Sequence, residues 1–316
     1  MTELRRLDRF PWWHEATLAL LLLLMLTVMH FAMPGFLRPR GQLLLSRHLW
    51  ELAILSLGMS LIIITGGIDL SVGSTMGLSA VAFGVIYEAT RNTYVASAGA
   101  IAVGTGAGCV NGIMIAGLRA HPLIITLATS AAYRGVAEGM SQGHSVSGFG
   151  DEFQQLARGT MLGVPNPGWL FALLAVAFGV FLWKTPTGRF LYAIGHNQTA
   201  SRFSGIRVDR IHFGLYTCSG FLAGLAAVIF VSRFNSARAD AGAGFELDVI
   251  TAVVIGGTSI FGGRGTIVGT VLGLLLIHET NQFVGRYWKI SELKSIVVGM
   301  LLIASILVYR LLSRNK

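Results

Sequence analysis

Long apolar stretches with few charges recur along the whole 316-residue chain, and they constrain it more than any other feature. A bilayer core about 30 Å thick is crossed by about 20 apolar residues in a helix. Ten stretches approach that size: Glu15–Met33, Leu52–Thr65, Ser74–Glu88, Tyr94–Leu118, His121–Gly139, Trp169–Trp183, Ile211–Ser232, Leu247–Phe261, Thr266–Phe283 and Leu293–Leu312. Several fall short of the full length, which predicts broken helices or helices longer than the pattern. Charged residues make up 12% of the chain and hydrophobic ones 53%. A soluble domain carries about 25% charged residues, so too little polar surface is left for water. The expected fold is all-α and integral to the membrane, a single domain over residues 1–316 with about ten transmembrane helices.

The net charge of +9 is spread between the apolar stretches and forms no stripe, so it reads as a topological signal and not as a nucleic-acid footprint. Arg5 and Arg6 precede the apolar run Ala16–Met29, and no small-residue cleavage site follows it. The run is read as an uncleaved first helix. Ten crossings place both ends on one side, and Arg5, Arg6, Arg9, Arg310, Arg314 and Lys316 make that side cytoplasmic. The loop at about 184–210, with Lys184, Arg189, Arg202, Arg207 and Arg210, then also lies inside. Arg38, Arg40, Arg47, Arg233, Arg238, Arg286 and Lys289 fall outside, against the rule. The polar stretch at about 141–168 is expected to be periplasmic, either as a contact for an external partner or as a connector.

Catalytic signatures are missing. There is no G-x-x-x-x-G-K-[S/T] phosphate loop, no His/Cys cluster at metal-ligand spacing and no G-x-S-x-G elbow. The chain is expected to hold no metal, no cofactor and no catalytic residue. Cys109 and Cys218 sit inside apolar stretches and read as small packing residues.

Three motifs carry information. In the first, Thr65-Gly66-Gly67-Ile68-Asp69-Leu70-Ser71-Val72-Gly73-Ser74, two helix-weakening glycines precede a carboxylate at membrane depth. That combination reads as an interrupted helix buried in protein or lining a cavity. Gly66, Gly67, Asp69 and Ser71 are therefore candidates for a translocation pathway or gate. Asp69 or Ser71 acting as a helix cap is the competing reading. In the second, Val254–Thr266, Gly256 and Gly257 interrupt another stretch. Both motifs share G-G-x5-G (Gly66, Gly67, Gly73; Gly256, Gly257, Gly263), which points to two pseudo-symmetric halves. In the third, Asn197 is a good N-cap and Gly205 a good C-cap around a helix of about two turns. Ala200 and Phe203 share its apolar face, and Gln198 and Arg202 a polar one. Such a helix either docks on a partner or lies against the membrane. Arg134 and Glu138, four residues apart, could pair; Asn111, His278 and Glu279 are further polar residues in or near apolar stretches.

At these residues the sequence resembles the permease family of bacterial ABC sugar importers, the group typified by ribose, arabinose, xylose, rhamnose and autoinducer-2 uptake. The stretches Gly66–Ser74 and Ala252–Thr266 are similar to the family's hallmarks, and Ile194–Ile206 is similar to its G-x-N-x-x-A-x-x-x-x-G-I pattern, with Phe203 where many members have Leu. The resemblance spans nearly the whole chain. It implies two permease subunits, identical or paralogous, forming the pore in the inner membrane, a separate cytoplasmic ATPase and a periplasmic sugar-binding protein. It also implies that the segment Asn197–Gly205 is a coupling helix, with Asn197, Thr199, Ala200, Ser201, Arg202 and Gly205 as its residues. Ser232–Asp240 is similar to rhamnose or autoinducer-2 type members. Two other classes compete. An ion-driven secondary transporter would use an intramembrane carboxylate such as Asp69, Glu138 or Glu279, and an intramembrane enzyme would need a catalytic cluster. A docking helix within 184–210 separates the importer from both.

Overall fold

The structure, a computed structural model, describes residues 13–288 and isolated positions between 293 and 303. Most of the stretch Leu293–Leu312 and both basic chain ends lie outside the described residues. The helices are α1 (Trp13–Ala32), α2 (Pro39–Ser46), α3 (Trp50–Ile64), α4 (Val72–Thr90), α5 (Thr93–Gly117), α6 (Pro122–Ser141), α7 (Asp151–Arg158), α8 (Asn166–Lys184), α9 (Pro186–His196), α10 (Gln198–Phe203), α11 (Val208–Phe234), α12 (Phe245–Ile255) and α13 (Ile267–Tyr287). Each predicted apolar stretch up to Phe283 contains one of them. Six (α1, α4, α5, α8, α11 and α13) are long and apolar enough to cross a membrane, and α3 is apolar but shorter. The chain is a multi-pass α-helical membrane protein.

The helix α3 runs through the middle. All its residues from Glu51 to Ile64 are buried, and α8, α11, α12 and α13 pack around it. By contrast, α1 and α8 turn Leu20, Leu23, Leu173 and Val176 outward, as expected where the solvent is lipid.

Among the described residues, the most extensive helix pair is α5 on α11. Gly104, Gly108 and Gly112 recur every fourth residue, so they line one face of α5. Gly104 and Gly108 meet Gly220 and Gly224 of α11, and Gly112 meets the Phe213 backbone. A Cβ added at Gly104 would lie 2.6 Å from the Gly220 carbonyl oxygen, and one added at Gly224 would lie 2.7 Å from Ile101 Cα. Only glycine permits this backbone approach, the usual way helices associate in lipid.

At the other end of the membrane-spanning bundle, Arg233 near the end of α11 meets α3. Its Nε donates to Glu51 Oε1 at 2.7 Å, and its Nη1 lies 2.7 Å from His48 Nδ1. Both Arg233 and Glu51 are buried. This explains one exception to the charge rule: Arg233 is neutralised inside the fold and is not a free loop cation. Arg238 is likewise paired, at 2.9 Å, with Asp240. The connector 141–168 is ordered by the same region. It forms α7 and two short ladders, one pairing Val146–Ser147 with Ser236–Ala237. The Ala157 amide donates to Ser232 Oγ at 3.1 Å, and Arg158 Nε to the Arg233 carbonyl at 2.8 Å.

The eighth stretch differs from expectation. Its helix α12 spans Phe245–Ile255 and stops well short of Phe261. Before it, residues 235–244 follow α4 in non-helical conformation. Ala237 lies against Gly84, and the Gly242 carbonyl against Gly73. The carbonyls of this segment need donors at membrane depth. Arg134 of α6 supplies them, donating to Ala239 O and Ala241 O. The Arg134–Glu138 pair that the spacing allows does not form, because the guanidinium is turned to these carbonyls.

Removing one member of the Glu51–Arg233 pair leaves a buried charge without its partner, at a cost of about 3–5 kcal/mol. Glu51→Ala is expected to lower the melting temperature of the detergent-solubilised protein sharply. Glu51→Met combined with Arg233→Met is expected to recover much of the loss. Equal melting of Glu51→Ala and the parent would show that the pair does not hold α3 to α11.

Candidate functional site

The break after α3 is a helix-terminating turn with a defined hydrogen-bond pattern. The Gly67 amide donates to Ile62 O at 3.1 Å and the Gly66 amide to Ile63 O at 2.8 Å, with Gly66 at φ +82°. This is a Schellman end, in which a left-handed residue closes the helix. After α12 the same pattern returns. The Thr258 amide donates to Val253 O at 3.2 Å and the Gly257 amide to Val254 O at 2.9 Å, with Gly257 at φ +90°. The two turns are equivalent with Gly66 matched to Gly257, one residue out of register with the shared G-G-x5-G spelling. Gly256 instead makes room for α13, since a Cβ there would run into the Gly269–Thr270 backbone.

The first turn touches the loop that follows the second. The Gly263 amide donates to Ile64 O at 2.9 Å. A Cβ added at Gly262 would lie 2.9 Å from the Gly66 nitrogen and 2.9 Å from Gly195 Cα. Gly195 belongs to the end of α9, so the loop 184–210 enters the same junction. Tyr192, one turn earlier on α9, donates from Oη to Gly265 O at 2.9 Å. Burial raises its phenol above the ordinary value, which keeps the hydroxyl protonated as a donor.

From this junction the chain passes to Asp69, which is 3% exposed. Its Oδ1 accepts from the Ser71 amide at 2.9 Å and from Ser71 Oγ at 2.6 Å, and its Oδ2 accepts from Ser219 Oγ of α11 at 2.8 Å. Asn111 Nδ2 of α5 donates to Ser71 Oγ at 2.8 Å, and the Tyr133 hydroxyl of α6 lies 3.1 Å from Asn111 Oδ1. Ser71 occupies the N-cap position of α4 but makes no side-chain cap bond, since its hydroxyl is committed to Asp69. Asp69 is thus a buried acceptor that ties the α3–α4 break to α5, α6 and α11. Its hydrogen-bond partners are the Ser71 amide and the hydroxyls of Ser71 and Ser219, and neither Glu138 nor Glu279 is among them. Asn111 and Tyr133 complete the network. Asn111 stood out in the sequence only as a polar residue in an apolar stretch, and Tyr133 carried no signal.

The predicted short helix is α10. Asn197 caps it, with Oδ1 accepting from the Ala200 amide at 2.9 Å. At the other end the Ile206 amide donates to Ser201 O at 3.1 Å and the Gly205 amide to Arg202 O at 3.0 Å, with Gly205 at φ +84°. Thr199 and Ala200 are exposed, and Phe203 is 89% exposed. Ser201 is buried. Arg202 is turned inward, where its guanidinium pairs with Asp209 at the start of α11. The preceding α9 was not expected as a separate helix.

The family model for the permease component of branched-chain amino acid transport systems matches residues 47–306. The chain is 36% identical over 308 residues to the ribose import permease protein of Escherichia coli (strain K12), covering 96% of each. It is 38% identical over 296 residues to that of Bacillus subtilis (strain 168), covering 92% of this chain and 90% of the relative. It is 34% identical over 305 residues to the autoinducer 2 import system permease protein of Photorhabdus temperata, covering 95% and 91%. No solved structure matches.

Truncating Asp69 leaves the Ser71 amide, the Ser71 hydroxyl and the Ser219 hydroxyl without an acceptor, at about 1–3 kcal/mol for each buried group. Asp69→Ala is expected to lower detergent stability strongly, whereas Asp69→Asn, which keeps one carbonyl acceptor, should lose less than half as much. Thermal stability followed by fluorescence-detected size exclusion checks the order. Indifference to both changes would remove Asp69 from the set of anchoring residues.

Proposed function

Because the chain belongs to the family of permease components of branched-chain amino acid transport systems, we propose that it is the membrane-spanning subunit of an ATP-driven importer of the ATP-binding-cassette class. The relatives named for ribose and autoinducer 2 match nearly end to end, which supports a sugar or sugar-like solute as cargo. In this reading two such subunits, identical or paralogous, line the route, and the full chain crosses the inner membrane about ten times in two related halves. Both termini and the loop 184–210 face the cytoplasm. A periplasmic binding protein delivers the solute, and hydrolysis occurs on a separate ATPase chain.

The observation that carries the reading is the build of the loop 184–210. Helix α10 is closed at both ends by its own caps, so it keeps its shape without support from a partner. It presents Phe203 outward, an anchor suited to a groove on another chain. The loop is also wedged into the bundle: Gly195 at the end of α9 lies against Gly262 and Ile64 O. A displacement of α9–α10 therefore pushes on the first Schellman turn and on the loop that follows the second. The adjacent α3–α4 break, held by the Asp69 network, is the element that would yield in alternating access. Gly66, Gly67, Asp69, Ser71, Gly256 and Gly257 act there as pathway or gate residues, some by position and some by anchoring. Arg202 contributes by fixing α10 to α11 through Asp209, and not by reaching the ATPase.

Docking and transmission separate by mutation. Phe203→Asp is expected to abolish co-purification of an ATPase chain from mild detergent and to reduce uptake of a labelled pentose or deoxyhexose panel at least tenfold. Gly205→Val should do the same, since a left-handed residue with a branched side chain costs about 1–2 kcal/mol. Gly195→Ala should retain the ATPase yet lose uptake, because its Cβ would meet Ile64 O. Normal uptake and normal co-purification in Phe203→Asp would sink the docking role.

A further inference from the structure

A cavity of about 520 Å³ opens between α3, α8, α9 and α11, away from the Asp69 network. Its floor is Leu61, Phe178, Phe181, Leu191 and Leu215. Two polar residues line it, Thr187 in the first turn of α9 and Arg210 in the first turn of α11, and both are exposed. From Arg210 the lining climbs α11 through Gly214 to Cys218. At 1.5 Å per residue that is about 12 Å into the spanning part of the helix. The cavity is thus a slot, charged at the loop end and apolar along its depth.

The level of the charged end is marked independently. At the end of α8, Lys184 Nζ lies 4.0 Å over the exposed Trp183 ring. An aromatic ring with a cation on it, at the end of an apolar helix, is characteristic of the membrane–water boundary. Arg210 also has no ion-pair partner among the described residues. The adjacent Asp209 is directed to Arg202, and more distantly to Arg119 at 3.9 Å.

We propose that this slot is a binding site for an anionic phospholipid, with one acyl chain between α8 and α11 and the headgroup phosphate on Arg210 and Thr187. Lipid is the solvent around α8, which turns Leu173 and Val176 outward. A volume in the range of about 300–1,000 Å³ accommodates a small ligand. The single cation selects a negative headgroup, and the apolar lining excludes a polar solute or a free phosphate. A basic pocket between membrane helices at the lipid surface is the recognised form of such a site. The occupied slot would brace α9 against α8 and α11, at the base of the loop carrying α10.

The test uses the full-length protein in mild detergent, incubated with equal amounts of phosphatidylglycerol and phosphatidylethanolamine of the same acyl chains, and read by native mass spectrometry. The parent is expected to retain phosphatidylglycerol about fivefold over phosphatidylethanolamine, the preference one surface cation gives one anionic headgroup. Arg210→Ala should lose the preference while still retaining lipid. Gly214→Leu should retain neither, since a Cβ there meets nothing within 4 Å and the larger side chain can grow into the slot. Arg189→Ala removes an exposed cation of α9 that does not line the slot, and should behave as the parent. Equal retention of the two lipids by the parent, or an equal loss of preference in Arg189→Ala and Arg210→Ala, would overturn the proposal. Persistence of the preference in Arg210→Ala would do so as well, pointing to diffuse surface charge. Should Gly214→Leu fail to fold, the two arginine variants decide.

Discussion

The backbone contact between α5 and α11 is the interaction on which the rest of the bundle depends. Lipid gives helices no hydrophobic reason to associate, so close packing must supply the attraction. Gly104 and Gly108 on one helix and Gly220 and Gly224 on the other let the two backbones meet without intervening side chains. The register of that contact fixes the neighbour of Gly220. Ser219 is thereby carried to Asp69 and donates to it at 2.8 Å. Asn111, one residue before Gly112 on the same α5 face, reaches Ser71. The polar network at the α3–α4 break is therefore assembled by a glycine seam, beside which Cys109 Sγ of α5 and Thr217 Oγ1 of α11 make a further contact at 3.5 Å.

Helix α3 is held differently at its two ends. Near its start, Glu51 forms a buried ion pair with Arg233 of α11. Beyond its end, Asp69 is held by hydroxyl and amide donors, with no cation among its hydrogen-bond partners. Separating a buried ion pair leaves two uncompensated charges and is strongly unfavourable. Hydroxyl donors rotate and can exchange one acceptor for another. The Glu51 end is accordingly the fixed point of the helix and the Asp69 end the adjustable one. The adjustable end is also where the Gly195 segment of α9 touches it.

The apolar stretches were legible because helices in lipid must satisfy their backbones internally, and so every long stretch up to Phe283 contains a helix. The caps of α10 were legible because Asn197 and Gly205 act locally, through bonds to residues three to five positions away. What escaped the sequence depends on contacts made across the bundle. Residues 235–244 lie along α4 because Arg134 binds two of their carbonyls, and nothing in the spelling of α6 separates that role from a pair with Glu138. The G-G-x5-G repeat drew attention to the right turns but in the wrong register. Helix ends are defined by the residue at positive φ, which is the first glycine of one pair and the second of the other.

The composition of the junction has a mechanical consequence. Where Gly66, Gly195 and Gly262 meet, the neighbours are backbone atoms, and Gly263 adds a backbone hydrogen bond to Ile64 O while its open side faces the His196 ring. A side chain can absorb a push of a few tenths of an ångström by changing rotamer, but a backbone in direct contact cannot. Packed interfaces of this kind move as units or not at all. In the proposed importer, a displacement entering at α9 would reach the end of α3 and the loop that follows the α12 turn through these contacts. The next compliant layer is the hydroxyl network around Asp69. Glycine at this junction serves stiffness as much as conformational freedom, and the more adjustable groups lie one layer above it, in the side chains of Ser71, Ser219 and Asn111.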